Sequence, residues 1–146
     1  MAESTSSLLG KFVALLESQA EYLLRAQLGI SYRRMLFLFV LQHQESITQH
    51  RLAQSLGYSD PAVSTMLREL VKDGYVSTTP APDHGRKNLV HITPLGLELA
   101  RKGRHLLDTH FDELVQLAEV DDQQLQHITR RLLAALAVKI QKEEHS

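Results

Sequence analysis

Small hydroxyl side chains and an arginine recur at helical spacing near the middle of the chain. Ser64 and Thr65 are followed one turn later by Arg68, and the apolar residues between them would face the interior. Small hydroxyls approach a ligand surface closely and bond bases or phosphates, whereas an arginine can bind guanine or a phosphate. This chemistry suits the major groove of duplex DNA. The residues predicted to contact it are Ser59, Pro61, Ala62, Ser64, Thr65 and Arg68.

A compact basic cluster follows, in a segment rich in turn formers. Arg86 and Lys87 come after Pro80, Pro82 and Gly85, residues typical of a hairpin tip. A long arginine on a projecting loop suits a narrow, negatively charged minor groove. We therefore predict DNA contacts for both basic residues, although an ordinary polar turn would show the same composition.

Three further arginines are candidate phosphate contacts. Arg51 lies on the short helix that precedes the Ser59–Arg68 segment, and Arg33 and Arg34 lie near the start of an apolar helix. Arginine is a common phosphate ligand at protein–DNA interfaces. An arginine considered alone is more often an ordinary surface charge, which is the alternative for each of the three.

The hydrophobic periodicity predicts the elements that position these side chains. Helices are expected over residues 7–27, 31–42, 48–57, 60–74, 94–118 and 121–143, and strands over residues 75–79 and 88–93. Ser31 and Thr48 are predicted N-caps, and Asp60 is predicted to cap the helix that carries Arg68. The helix after Ser31 is nearly all apolar beyond Arg34 and should lie at the centre of the core.

The fold class predicted from this order is mainly α (α+β). It is a winged helix-turn-helix domain with a two-stranded β-wing, plus N- and C-terminal dimerisation helices. We expect three segments in one compact unit: residues 1–30 as the N-terminal dimerisation helix, 31–93 as the DNA-binding domain, and 94–146 as a long helix with a C-terminal dimerisation helix.

The last predicted helix is apolar over more than half of its circumference. Leu125, Ile128, Leu132, Leu136 and Ile140 form one stripe, and neighbouring apolar residues widen it. Such a helix must bury two sides, one against its own chain and one against a partner. A homodimer is the simplest explanation. The alternative is a helix enclosed in a monomeric core.

Charge is distributed unevenly along the 146 residues, although the net charge is only −1. Residues 33–104 contain ten Lys/Arg and six Asp/Glu, a local charge of +4; the remaining six bases and eleven acids give −5 to the flanks. A basic centre between acidic flanks indicates that any polyanion is bound by the middle of the chain.

Composition excludes several classes of protein. The absence of cysteine excludes disulfides, thiolate zinc sites and cysteine redox sensing. The first residues lack the pattern of a secretory signal, and no apolar run is long enough to span a bilayer. We expect a soluble cytoplasmic protein without membrane contact.

The chain resembles the MarR family of bacterial transcription regulators. The order of the matching residues and the spacing between them agree over residues 31 to about 103. A short piece of the pattern is weak, but the complete series is specific. The matching residues are Ser31 and the apolar helix after it, Ile47, Thr48, Leu52, Ala53, Val63, Ser64, Leu67, Leu70, Gly74, Tyr75, Val76, Arg86, Val90, His91, Ile92, Thr93 and Gly96.

The resemblance implies a winged-helix homodimer joined by its terminal helices. Such dimers bind pseudo-palindromic double-stranded operators, usually as repressors relieved by a small-molecule effector. By the same resemblance, Ser64 and Thr65 would lie in the major groove and Arg86 in the minor groove. The effector pocket would lie where the dimerisation helices meet the winged domain. Candidate lining residues, each equally explained as core, are Phe12, Leu16, Tyr32, Met35, Phe39 and Phe111.

Two positions depart from the family's pattern. The family often has a basic residue directly after the helix serine, where this chain has Thr65. The wing acid commonly lies two residues before the arginine, where this chain has His84, with Asp83 one position earlier. These differences predict a more modest DNA affinity or a distinct operator, with the fold unchanged.

Other functional classes have little support in the sequence. There is no glycine-rich phosphate loop, no G-x-S-x-G elbow and no H-E-x-x-H motif, so neither an enzyme nor a cofactor is predicted. His105 and His110 are about 140° apart around a helix, which does not suit shared metal ligation. We predict no metal site. A winged helix used only as a protein-interaction module is the remaining alternative.

Overall fold

The computed structural model describes residues 2–81 and 84–146, with only the backbone described for residues 84–87. Contacts between Cα atoms divide the chain into two compact units, residues 1–107 and 108–146. The elements in chain order are α1 (Thr5–Leu28), α2 (Tyr32–Leu41), β1 (Ile47–Thr48), α3 (Gln49–Leu56), α4 (Asp60–Lys72), β2 (Val76–Ala81), β3 (His84–Ile92), α5 (Pro94–Ala118) and α6 (Asp122–Glu144).

Hydroxyl side chains cap the helices of the first unit. The Ser31 hydroxyl accepts a hydrogen bond from the Arg34 backbone N–H at 3.2 Å, and the Thr48 hydroxyl accepts one from the Arg51 N–H at 3.2 Å. Each bond satisfies a backbone donor that has no partner within its helix. Both predicted caps are confirmed.

The predicted cap of α4 is wrong. Ser59, not Asp60, is the N-cap, and its hydroxyl accepts from the Ala62 N–H at 3.3 Å. Asp60 is the first helical residue, where the positive end of the helix dipole stabilises its carboxylate. Serine and aspartate are equally good caps and Pro61 is tolerated at either early helical position, so local preference could not choose between them.

The turn between α3 and α4 needs a glycine. Gly57 ends α3 in the left-handed conformation, with φ of 70° and a backbone N–H that bonds the last turn. A β-carbon disfavours this conformation, and glycine avoids the cost. The predicted helix-turn-helix is therefore present, with α4 as its second helix.

The sheet has three antiparallel strands in the order β1-β3-β2. β2 pairs with β3 through Val76↔Ile92 and Thr79↔Leu89, and β1 pairs with β3 through Ile47↔Val90. The wing strands extend further toward the tip than predicted, and β1 was missed. A two-residue strand has no detectable periodicity, because its pairing depends on a partner far along the chain.

The core of the first unit surrounds α2, as predicted. Met35, Phe37, Leu38 and Leu41 are buried on this one helix. Buried residues from the other elements include Leu24, Leu52, Val63, Leu70, Val90 and Ala100. The mainly helical winged helix-turn-helix fold class is confirmed.

The apolar surface of α6 is not buried in the single chain. None of its described side chains is buried, and Leu132, Leu133 and Leu136 are each more than half exposed. The packing of one side of α6 against its own chain stays a prediction. Within the described part of the chain, no helix is long and apolar enough to cross a membrane.

Candidate nucleic-acid interface

Helix α4 has one buried and one exposed face. Val63, Leu67 and Leu70 are buried and Met66 is half-buried, which confirms the predicted inward face. The hydrophobic residues thus fix the rotation of the helix about its axis. The exposed face presents Pro61, Ala62, Thr65 and Arg68 to solvent, and Ser59 is exposed at its N-terminus.

Thr65 and Arg68 form a small polar network on the exposed face. The Thr65 hydroxyl donates to the Pro61 carbonyl at 3.1 Å, and the Arg68 guanidinium donates to the same hydroxyl at 3.4 Å. The carbonyl fixes the hydroxyl proton, so the oxygen presents its lone pairs to Arg68. Thr65 therefore orients Arg68 along the helix.

Ser64 is half-buried. The sequence predicts an exposed side chain that contacts DNA, but the structure places its hydroxyl in a contact within the protein. Its hydroxyl accepts a hydrogen bond from the Gln49 amide, on the first residue of α3. This bond ties the two helices of the helix-turn-helix together beside the exposed face. Sequence reasoning missed Gln49, because no spacing rule links it to a residue 15 positions later.

A second bond between the same helices lies at the start of α4. The His50 Nδ1 atom is 3.2 Å from an Asp60 carboxylate oxygen, and both side chains are more than half exposed. No group of three potential metal ligands occurs among the described residues. This pair is thus a contact between α3 and α4 rather than part of a larger ligand cluster.

A cavity of about 450 Å³ separates α4 from the β-hairpin. Four elements contribute to its walls, with hydrogen-bonding groups from each. The lining residues are Gln49, Ser64, Leu67, Arg68, Val71, Thr78 and Asn88. A helix and a hairpin separated in this way can contact adjacent grooves while the intervening strand of a duplex passes between them.

The wing is anchored at its base by His91 on β3. The ring nitrogen Nε2 lies 2.9 Å from the Thr79 hydroxyl, and Nδ1 lies 3.4 Å from the Glu45 carbonyl oxygen. The backbone at Arg86 and Lys87 belongs to β3, but their side chains lie outside the described residues, as does Asp83. Their predicted contacts remain predictions.

The three additional arginines have different surroundings. Arg51 is exposed on α3. The Arg33 guanidinium lies 5.0 Å from the centre of the Tyr58 ring. Arg34 is ion-paired with Glu69 and Asp73 on α4, at 2.7 and 3.0 Å. The hydrogen bond from Arg34 to Glu69 raises the pKa of the Arg34 guanidinium above its ordinary value.

The candidate effector residues lie mostly in or against the core. Met35 is fully buried, and a β-carbon at Gly103 would meet its sulfur at 2.7 Å. Tyr32 and Phe39 are half-buried against the core, with the Arg104 guanidinium 4.4 Å from the Phe39 ring centre. Burial raises the pKa of Tyr32.

The other three candidates are less enclosed. Phe12 is 41% exposed, Leu16 is half-buried on α1, and Phe111 is half-buried in the second unit. Three cavities of about 450, 410 and 310 Å³ occur between described residues of the first unit, and none of the six candidates lines them.

The helix-turn-helix and part of the wing are similar to a known protein family. The MarR family model matches residues 28–87, which include α2, the helix-turn-helix and part of the wing. Residues 28–87 are thus similar to the winged helix of the MarR family. This finding confirms the resemblance on which the sequence prediction rested.

One curated relative is an uncharacterized HTH-type transcriptional regulator, YdgJ, of Bacillus subtilis (strain 168). It is 27% identical over 97 residues, which cover 66% of this chain and 59% of the relative. The matched part of the chain thus spans less than two thirds of that relative's length.

Solved MarR-type structures share the fold of the chain. The wild-type MarR of E. coli in its apo form has a TM-score of 0.76 and 22% identity, covering 93% of this chain and 99% of that one. The S. aureus MepR–DNA complex has a TM-score of 0.71 and 20% identity, covering 94% and 99%.

Proposed function

We propose that the chain is a transcription regulator that binds double-stranded DNA through the exposed face of α4 and the β2–β3 hairpin. The observation that carries the proposal is the Thr65–Arg68 network on the solvent side of α4, beside the cavity between α4 and the hairpin. A MarR-family winged helix surrounds it. The MepR structure with this fold is a DNA complex, which supports the same use of the fold here.

Roles follow for the residues of the interface. Arg68 contacts a guanine edge, and Pro61 and Ala62 contact thymine methyl groups in the major groove. Arg86 enters the minor groove, while Lys87 and Arg51 contact phosphates. Ser64 positions α4 through Gln49, and Ser59 offers its hydroxyl at the helix N-terminus.

Selection of bound duplexes from a random pool tests DNA binding. We expect a pseudo-palindromic site whose affinity falls steeply with salt, since phosphate contacts release counterions. Arg86→Ala should weaken binding to all sequences and lower the salt slope by about 1. The matched control is Arg101→Ala, which removes an exposed arginine from α5. It should leave the binding affinity and the salt slope unchanged. A wild-type chain without salt-sensitive affinity would favour the protein-interaction module instead.

The working form that we propose is a homodimer. α6 exposes six large apolar residues, and α1 exposes Leu8, Leu9, Phe12, Val13 and Leu15. Exposed apolar patches of this extent mark association surfaces. A second copy supplies a matching apolar surface and gives the two α4 helices the two-fold symmetry of a pseudo-palindromic operator.

Leu133→Asp should convert the dimer into a monomer. Leu133 is 62% exposed in the single chain, so a carboxylate there is harmless until association buries it. We expect the dissociation constant to rise about 100-fold or more, because burying an unpaired charge is costly. Sedimentation velocity measures the change. Gln141→Asp adds the same charge to an exposed polar position of α6 and should remain dimeric; equal behaviour of the two variants contradicts the proposal.

We propose further that the regulator is a cytoplasmic repressor relieved by a small-molecule effector. An effector that binds beside Phe12, Leu16, Tyr32, Met35, Phe39 or Phe111 would change the separation of the two α4 helices. That separation must match half-sites about one helical turn apart.

A further inference from the structure

Arg34 forms a two-pronged ion pair across two helices. One guanidinium nitrogen lies 2.7 Å from Glu69 and the other lies 3.0 Å from Asp73. The two carboxylates are one turn apart on α4, and the Arg34 side chain is only 26% exposed. A planar guanidinium bonded at two points restrains both the distance and the rotation of α4 relative to α2.

The two acids lie where carboxylates are otherwise unfavourable. Asp73 is the C-cap of α4 and Glu69 is in its last turn, at the negative end of the helix dipole. They also place negative charge on the helix that we propose to approach a polyanion. Arg34 is ion-paired with both carboxylates, and we call these three residues the triad. Because it contains one cation and two acids, the triad does not increase the positive charge of the interface.

The neighbouring residue Arg33 packs next to the N-terminus of α4. The Arg33 guanidinium lies over the Tyr58 ring at 5.0 Å, and Tyr58 stacks on Phe37 with ring centres 6.0 Å apart. Tyr58 directly precedes Ser59, the N-cap of α4. Consecutive residues of α2 therefore contact the residue before the N-cap of α4 and the end of α4.

Helix α1 holds the start of α2. A carboxylate oxygen of Glu21 accepts from the Tyr32 backbone N–H at 3.1 Å, and the same carboxylate is bonded to Arg25. Burial raises the pKa of Glu21, but these two hydrogen bonds outweigh it, and the pKa is lowered overall. A continuous polar path thus runs from α1 through the first turn of α2 to the end of α4.

We propose that Arg34 is a positioning residue that sets the orientation of α4 for sequence-specific binding, and that Glu21 extends this control to α1. The proposal rests on the DNA binding proposed above. Arg34 then acts through Glu69 and Asp73 rather than by contacting phosphate. Loss of the triad should therefore reduce discrimination between DNA sequences more than it reduces overall affinity.

Neutralising Glu69 separates positioning from simple electrostatics, because electrostatics changes the affinity for all DNA and leaves the preference between sequences unchanged, whereas positioning changes the preference. Glu69→Gln makes the protein more positive, so electrostatics alone predicts tighter binding to every DNA. Positioning predicts that the preference for the selected site over a scrambled duplex falls about tenfold. The matched control is Glu98→Gln, which removes one carboxylate and one ion pair, to Lys102 on α5. Identical preference in the two variants overturns the proposal.

Arg34→Lys tests whether Arg34 contacts phosphate. Lysine keeps the charge but lacks the planar fork that holds two carboxylates. We expect reduced preference with an unchanged dependence of affinity on salt. Unchanged preference together with an unchanged salt slope would show that the positive charge alone suffices, as at a phosphate contact, and would overturn the proposal. Circular dichroism with thermal unfolding establishes that each variant is folded.

A distance measurement tests the triad without DNA. The chain has no cysteine, so Gln27→Cys on α1 and Lys72→Cys on α4, both exposed, accept spin labels without background. Adding Glu69→Gln or Arg34→Lys should broaden or shift the distance distribution, and adding Glu98→Gln should not. An unchanged distribution overturns the positioning role. If the wild-type chain binds no DNA but the Glu69→Gln and Arg34→Lys variants still change the distance distribution, the proposed function is refuted. The role of Arg34 in positioning α4 is then retained.

Discussion

Replacing Arg68 with alanine should weaken binding to the selected DNA site by about 10- to 100-fold and relax the base preference at one position of each half-site. Arg68 is exposed on the solvent side of α4, and the Thr65 hydroxyl restrains its guanidinium. A preoriented arginine loses less conformational freedom on binding a guanine edge. Fluorescence anisotropy with the selected duplex and with single-base variants measures both effects.

Arg101→Ala is the matched control for this prediction. It removes one exposed arginine from the same basic region, residues 33–104, but from α5 rather than α4. We expect unchanged base preference. A loss in the Arg68 variant that is uniform across all sequences, with a lower salt slope, would show that Arg68 binds phosphate instead.

Replacing Gly96 with alanine should destabilise the fold by about 2–4 kcal/mol. Gly96 is in the first turn of α5, where its N–H donates to the Thr93 hydroxyl at 3.1 Å. A β-carbon there would collide with the backbone carbonyl oxygen of Tyr75, which already accepts a hydrogen bond from the Thr93 N–H at 3.1 Å. The obstacle is backbone, so the junction of α4, β3 and α5 would have to shift.

Chemical denaturation compares this variant with Gly10→Ala, which makes the same change within a helix. Nothing lies within 4 Å of a β-carbon at Gly10, so alanine should stabilise α1 by about 0.5–1 kcal/mol. The two substitutions should therefore have opposite signs. If both stabilise the protein, the close approach at Gly96 is not a constraint on the fold.

Local chemistry was sufficient to predict most elements and the rotation of α4. Apolar residues at helical spacing placed Val63, Leu67 and Leu70 inside, which left Thr65 and Arg68 exposed. Caps such as Ser31 and Thr48 were predictable because the bond joins residues three apart. The resemblance to the MarR family contributed the arrangement of these elements, which periodicity does not specify.

Contacts between distant residues could not be predicted in this way. Arg34 is 35 residues from Glu69 and 39 from Asp73, and no periodic pattern connects them. From the sequence, Arg34 was a candidate phosphate contact, because an arginine near a helix N-terminus has the same local signature in both roles. The same limitation concealed the Gln49 bond to Ser64.

The sequence by itself determined which residues face inward, where the helices begin and end to within a few residues, and which part of the chain is basic. These properties depend on burial patterns and hydrogen bonds over a few residues. Only the tertiary structure decided which exposed charges remain available to a ligand. Packing places Glu69 and Asp73 of α4 against Arg34 of α2, and a side chain's role depends on the neighbours that folding brings to it.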